Sequence, residues 1–283
     1  ISKHLKSTPS GSFNDQPVLL RCVQVIEETH NVKTFKFTAD PVQRFDYKPG
    51  QFLTLHVPIN GKNVSRCYTI SSSPSRPDTL TITVKRVADG KVSNWLHNHV
   101  TVGASLEANG PSGVFHLQEK QKHKLLLISG GSGITPMLSM AKFIGDLGLN
   151  HDIVFHHSAQ KPTDLIAWEE LSILTRHLPG LKLSYNTTKS APSSDITGVG
   201  FEGRLSAHII QKISPDLKER DVFVCGPDGF MDTAQELLLA LGLPQENYNQ
   251  ESFNIEPLDG PIDNSGAVYK ILFSKSGVQA EIR

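Results

Sequence analysis

From residue 17 the chain runs as short segments in which apolar and polar positions alternate, at 18–25, 34–38, 52–57, 67–70 and 79–87. A period of two places one side of each segment in a core and the other in water, the pattern of a half-buried strand. Turn signals separate them: Lys48-Pro49-Gly50, Asn60-Gly61 and Ser75-Arg76-Pro77-Asp78. Strands at this spacing, with a single helical stretch among them at 92–99, predict an antiparallel barrel or sandwich, of which the β-barrel is the assigned fold.

The rhythm changes after residue 116. Residues 124–128, Lys-Leu-Leu-Leu-Ile, are a short apolar run that leads into glycines, the profile of a buried parallel strand. Met137, Met140, Ala141, Ile144 and Leu147 then recur at helical spacing over 136–147, with Pro136 in the first turn and Gly148 past the end. Strands are expected at 152–157, 181–187, 221–225 and 248–253, and helices at 164–176, 206–213 and 229–241. Such alternation predicts an α/β domain built on an open parallel sheet, the nucleotide-binding kind.

The chain of 283 residues therefore divides into a lead-in at 1–16, a β-barrel domain at 17–117, an α/β domain at 118–253, and a tail at 254–283. The tail reads as a linker over 254–267 followed by a hairpin of 268–274 and 278–282 around Ser276-Gly277.

Charge sharpens the picture by exclusion. Lys plus Arg and Asp plus Glu number 28 each, which speaks against a dedicated nucleic-acid binder with its basic face. Cys22, Cys67 and Cys225 are too few and too dispersed for a disulfide framework or a paired-cysteine metal site, so a reducing, cytoplasmic setting is the default expectation. No apolar run approaches the length of a membrane span. The twelve histidines show no metal-ligand spacing, and no Ser/His/Asp or paired-carboxylate arrangement can be read. His156 and His157, adjacent on a strand, should point to opposite faces as structural or lining residues.

The chemistry gathers at a few turns. Arg66 and Tyr68 share a strand face, with Thr69 next to them, a combination suited to a flat anionic cofactor: guanidinium on phosphate, ring on a conjugated system, hydroxyl or amide on a polar edge. Ser129-Gly130-Gly131-Ser132-Gly133-Ile134-Thr135-Pro136 lies between strand and helix, where glycines allow close approach and the helix start offers free amides to a pyrophosphate. Its spacing is not that of the G-x-G-x-x-G dinucleotide fingerprint. Cys225-Gly226-Pro227 delivers a thiol to the carboxyl end of a buried strand. At Gly90-Lys91-Val92-Ser93 the amides and the Ser93 hydroxyl suit a second phosphate, and an ordinary serine N-cap suits the residues equally well.

These motifs, with Gly110-Pro111-x-Gly113 and Glu251-x-Phe253, stand in the order found in the ferredoxin-NADP reductase superfamily, which the chain resembles over 18–253. The tail resembles the first hairpin of a plant-type [2Fe-2S] ferredoxin domain, which points to the flavin, nicotinamide, ferredoxin subgroup. That subgroup includes the NADH oxidoreductase of the hybrid-cluster protein and reductases of Rieske-type oxygenases. The cluster cysteines themselves are absent, so the resemblance implies a fragment without its cluster-binding part.

Carried over, the resemblance implies that Arg66 binds flavin phosphates, Tyr68 packs on the isoalloxazine and Thr69 bonds near its N5. Gly90, Val92 and Ser93 would hold the pyrophosphate, and Lys85 joins the cofactor-binding set. Gly130, Gly131, Gly133, Ile134, Thr135 and Pro136 would take the nicotinamide cofactor's phosphates, and Cys225, Gly226 and Pro227 its ribose and ring. Glu251 and Phe253 would stand beside the flavin, and Thr69, Cys225 and Glu251 form the catalytic set. The implied cofactors are FAD, with FMN open, and NADH, with NADPH possible, because Gln160 stands where many relatives carry arginine and only Lys161 follows. The implied activity is hydride transfer from NAD(P)H to flavin, then single electrons to an iron-sulfur protein partner, by a monomer. A stand-alone NAD(P)H:flavin or ferric reductase and a non-catalytic flavin sensor are the rivals. Thr69 and Cys225 should flank one site.

Overall fold

The computed structural model describes residues 17–118 and 121–253, together with the strand residues 269–273 and 278–282. The expected lead-in at 1–16 and linker at 254–267 lie outside the described residues.

The first lobe is built from β1 (Val18–Thr29), β2 (Val32–Asp40), β3 (Phe52–Ile59), β4 (Lys62–Thr69), β5 (Leu80–Lys85), α1 (Lys91–His99) and β6 (Ser105–Ser112). Alternation does what it predicts. In β2, Phe35, Phe37 and Ala39 are buried, and in β3, Leu53, Leu55 and Val57. They meet Leu20, Ile70, Ile82, Leu96 and Leu106 in one core.

The strands pair antiparallel in the order β4-β3-β6-β1-β2-β5. The expected antiparallel β lobe is what forms, and its sheet is not closed: β4 and β5 are edge strands with no ladder between them. The chain just beyond β4 meets β5 through an isolated bridge, Ile70 to Ile82, the Ser71 amide donating to Thr81 O at 2.8 Å, and bonds of the Ser71 and Ser72 hydroxyls with Thr81 and Thr83. The Ser71–Pro74 turn carries the chain off β4 too soon for a ladder to form.

Strand β6 was not expected. Its sequence, Ser-Leu-Glu-Ala-Asn-Gly-Pro-Ser, is poor in strand formers and ends in a turn signal. Leu106 and Ala108 are nevertheless buried, and β6 fills the sheet between β3 and β1.

The second lobe alternates β7 (Lys124–Gly130), α2 (Ile134–Asp146), β8 (Asp152–Ala159), α3 (Trp168–His177), β9 (Leu181–Thr187), β10 (Val199–Glu202), α4 (Ala207–Ile213), β11 (Asp221–Cys225), α5 (Asp228–Ala240) and β12 (Tyr248–Glu251). The sheet is parallel, in the order β10-β9-β8-β7-β11-β12. Leu125, Leu127, Phe155 and Phe223 face α2 and α3, while Leu126, Ile128, Val222 and Val224 face α4 and α5. A strand covered on both sides reads as a continuous apolar run, which is why β7 was legible.

Some boundaries moved, and a further strand was unexpected. Helix α3 begins at Trp168, not 164, because Ala167 adopts a left-handed conformation, φ 51°. Strand β12 stops at Glu251. Strand β10, four residues after a polar loop, carried no apolar signal. In the tail, β13 (Tyr269–Phe273) and β14 (Val278–Ile282) pair antiparallel as the hairpin predicted; its turn lies outside the described residues.

Candidate functional site

The carboxyl edge of a parallel sheet is where its backbone turns away and leaves room for a ligand. Here two turns are pressed together at that edge. Gly131, φ 54°, lets the chain leave β7 sharply. Gly133 then lies so near the end of β11 that an added β-carbon would come within 2.6 Å of Gly226 N, and closer still to the Cys225 carbonyl. Ile134, Thr135 and Pro136 are buried in the first turn of α2, and Thr135 Oγ1 donates to Ser132 O at 3.1 Å. The 131–133 turn thus leads directly into the start of α2, a helix end favourable to anions.

Cys225 pairs in register with Glu251 on one side and Ser129 on the other. Its thiol is fully buried, and burial pushes its pKa well up, helped by the Glu251 charge and opposed by a hydrogen bond with the Gly226 backbone. A neutral thiol at this position packs or contacts a ligand; it is not an ionised nucleophile. Glu251 is a different case. Burial raises its carboxyl to about 7, and its Oε2 is enclosed without a hydrogen-bond partner among the described residues. Pro227 begins α5, and Phe253 is 42% exposed just beyond Glu251.

Glu251 also reaches the first lobe. A β-carbon at Gly113 would stand 4.0 Å from Glu251 Oε1 and 3.0 Å from the Phe52 ring. Phe52 pairs in register with Thr69. Thr69 is thus joined to Cys225 through Phe52, Gly113 and Glu251, a path across the two lobes. Gln51 strengthens it by donating from Nε2 to Gly113 O at 3.2 Å. Neither Gln51 nor Phe52 was singled out in the sequence, since their place depends on strand register alone.

On β4 the Arg66 side chain is exposed and donates to Ser65 O at 2.8 Å, with no ion pair among the described residues. Tyr68 is half-buried beside the first core, and burial drives its phenol above its ordinary pKa, against the pull of Arg66. Thr69 is buried. Helix α1 starts from Gly90 with no side-chain cap, leaving its first-turn amides free. The Ser93 hydroxyl is not the helix cap: it accepts from Val87 N at 3.2 Å and donates to Gly90 O at 3.3 Å, holding the turn shut. Val92 is buried in the core. Lys85, at the end of β5, is half-buried without hydrogen bond or ion pair among the described residues, and its ammonium would lie 3.8 Å from a β-carbon on Gly131. An unpaired cation beside the Gly131 turn suits a phosphorylated ligand.

His156 and His157 do face opposite ways. His156 bonds Ser184 Oγ at 2.9 Å and Asn186 Oδ1 at 3.0 Å, while His157 bonds Ser129 Oγ at 2.9 Å and stacks on Trp168. Burial lowers them to about 4 and about 3, so both are neutral at physiological pH. Among the described residues no cluster of His, Cys, Asp or Glu could hold a metal ion, and no helix is long and apolar enough to cross a membrane.

This geometry defines an oxidoreductase of the flavin and pyridine-nucleotide type, and comparison with known proteins agrees. Residues 20–117 match the oxidoreductase FAD-binding domain and residues 127–236 the oxidoreductase NAD-binding domain. The glycine betaine monooxygenase reductase subunit of Chromohalobacter salexigens is 42% identical over 240 residues, covering 85% of this chain and 65% of that protein. The stachydrine N-demethylase reductase subunit of Rhizobium meliloti is 37% identical over 246 residues, covering 87% of this chain and 69% of that protein. In fold, the FAD/NAD-binding domain of nitric oxide dioxygenase from Vibrio cholerae superposes with a TM-score of 0.75 at 24% identity, over 83% of this chain and 98% of that one. The chain belongs to the ferredoxin-NADP reductase superfamily, with an FAD-binding lobe followed by an NAD-binding lobe. It spans about two thirds of the length of these reductase subunits.

Proposed function

We propose that this chain is the flavin and nicotinamide part of an electron-transfer reductase, which takes hydride from NADH, or NADPH, and hands single electrons to an iron-sulfur protein. The observation that supports the reading is the path from Thr69 through Phe52, Gly113 and Glu251 to Cys225, which links β4 of the first lobe to the end of β11 in the second. The lobes are assigned as 17–117 for flavin and 118–253 for nicotinamide.

A bound flavin supplies the exchange between two-electron and one-electron chemistry. The chain's own residues bind and orient. Arg66, the first-turn amides at Val92 and Ser93, and Lys85 would hold flavin phosphates; Tyr68 and Phe253 would cover its ring system, and Thr69 its polar edge. The turn from Gly130 to Pro136 would seat the nucleotide's pyrophosphate. Cys225, Gly226 and Pro227 would place the nicotinamide, with Glu251, protonated near neutrality, able to present a proton rather than a charge. Hydride transfer depends on alignment, so a site of packing and amides without an acid-base dyad is what it needs.

NADH is the assigned donor because Gln160 and the exposed Lys161 present no arginine fork to a 2′-phosphate. The acceptor follows from the relatives named as reductase subunits of glycine betaine monooxygenase and stachydrine N-demethylase. The protein is assigned as a cytoplasmic monomer.

Anaerobic titration of the flavin-loaded protein with NADH and with NADPH tests the reading. Bleaching of the flavin band by NADH at lower concentration than by NADPH is expected. A band untouched by either would leave a flavin-binding protein that does not oxidise pyridine nucleotides. Cytochrome c reduction that rises when a [2Fe-2S] ferredoxin is added identifies the acceptor class, and a rate indifferent to ferredoxin identifies a self-contained reductase.

A further inference from the structure

Helix α3 starts badly by its own sequence. Ala167, the residue just before it at the N-cap, holds φ 51° although it has a β-carbon, and it provides no side-chain cap. The carboxylate that compensates comes from the other lobe: Ala167 N donates to Glu28 Oε2 at 3.2 Å. Glu28 sits one residue before the end of β1, and the tip of the β1–β2 hairpin leans on the second lobe. His30 Nδ1 lies 3.3 Å from Asp164 Oδ1, and Asp164 Oδ2 accepts the Lys161 amide at 3.1 Å. Val32, 2% exposed, is packed into the core under α2 and α3 rather than that of its own lobe.

What Glu28 fixes is connected to the glycine turn. Trp168 follows Ala167, bonds Thr197 O through its indole at 2.9 Å and stacks on His157 at 6.3 Å. His157 bonds Ser129, the residue before Gly130. Displacing the start of α3 therefore acts through Trp168 and His157 on Ser129, the residue that leads into the Gly130–Gly133 turn, without touching the residues assigned to the flavin.

We propose that Glu28 is a positioning residue for pyridine-nucleotide binding: a cap supplied across the lobes to the left-handed start of α3, which holds the Trp168, His157 and Ser129 wall in place. The inference rests on the reading of the second lobe as the nicotinamide site. The chemistry required is a fixed hydrogen-bond acceptor at position 28, with negative charge a smaller contribution at the helix start.

The test uses the flavin-loaded protein with Glu28→Ala, Glu28→Gln and the double variant Glu28→Ala/Ala167→Gly. KM for NADH with ferricyanide as acceptor, and the Kd of NAD+ by calorimetry, are expected to rise about tenfold in Glu28→Ala. The maximal rate and the flavin content should stay within about twofold of the parent. Glu28→Gln, whose amide oxygen still accepts, should remain near the parent. The double variant should recover most of the loss, because glycine takes a positive φ without help. Unchanged KM and Kd in Glu28→Ala, an equal loss in Glu28→Gln, or no recovery in the double variant overturns the proposal. A parent protein that binds NAD+ but does not turn over refutes the reductase reading and leaves the Kd test of Glu28 standing; a parent that binds neither nucleotide overturns both.

Discussion

Gly133 and Cys225 touch backbone to backbone across the carboxyl edge of the parallel sheet, leaving no room for a β-carbon between the start of α2 and the end of β11. The contact makes one rigid unit of two turns that lie 92 positions apart in sequence, residues 133 and 225. Gly133→Ala should force them apart. Its neighbours are backbone atoms, which cannot swing away as a long side chain can, so a cost of about 1–3 kcal/mol or more is expected. Thermal denaturation should show a fall in Tm of several degrees, and KM for the pyridine nucleotide should rise. Full stability together with unchanged KM would mean that the two turns are not coupled.

Arg66 offers an exposed guanidinium with no carboxylate competing for it among the described residues. Arg66→Ala should weaken flavin retention by about 10–100-fold, the range for charge-assisted hydrogen bonds. The flavin-to-protein ratio after desalting measures it. Arg66→Lys should retain an intermediate amount, because an ammonium keeps the charge and loses the fork. Full flavin content in Arg66→Ala would remove Arg66 from the phosphate site.

At the opposite end of the second lobe, Arg220 is 2% exposed and is held by Asp216 through Nε at 2.7 Å, by Asp152 Oδ2 at 3.0 Å and by the Leu125 carbonyl at 3.0 Å. Burial alone would push Asp216 up; hydrogen bonds from Arg220 and Lys124 outweigh it and hold the carboxyl at about 2. A depressed carboxyl contributes stability above its unfolded value and loses it as pH falls through its folded one, here from about 4 to about 2. Asp216→Asn should cost about 2 kcal/mol at neutral pH. It should also flatten the acid limb of the Tm profile over that window. A parallel acid limb in the two proteins would show that Asp216 is not ionised into this network.

Most of the second lobe was legible because β7, β8, β9 and β11 are buried on both faces and its helices carry one apolar stripe; the exposed β10 announced nothing. The 66–69 strand, the 130–136 turn and the 225–227 turn could be singled out because their sequence signals are local. Strand β6 was not, since Leu106 and Ala108 are its only core residues and Gly110-Pro111 resembles a loop. Closure of the first sheet failed for a related reason: the pattern of a strand gives its two faces and says nothing about which edges meet. Glu28 was invisible for the most general reason. A carboxylate on an exposed strand becomes a cap only when a second lobe brings a strained helix start to within 3.2 Å of it.

Glu251 couples the cleft to pH. Burial raises its carboxyl from 4.5 to about 7. Below about pH 4.5 it is protonated in folded and unfolded chains alike and contributes no pH dependence. Between that value and about 7 the folded protein holds a proton that the unfolded chain has released, so stability falls as pH rises and the penalty is complete above 7. Glu251→Gln removes the titration while keeping the shape. The variant should match the parent near pH 4 and exceed it by on the order of 2 kcal/mol near pH 8, after allowance for the partial exposure of the side chain. Chemical denaturation at a series of pH values reads this difference directly. A gap that is constant with pH would show that Glu251 is already ionised in the folded cleft, and its role there would then be that of a fixed negative charge facing the Cys225 thiol.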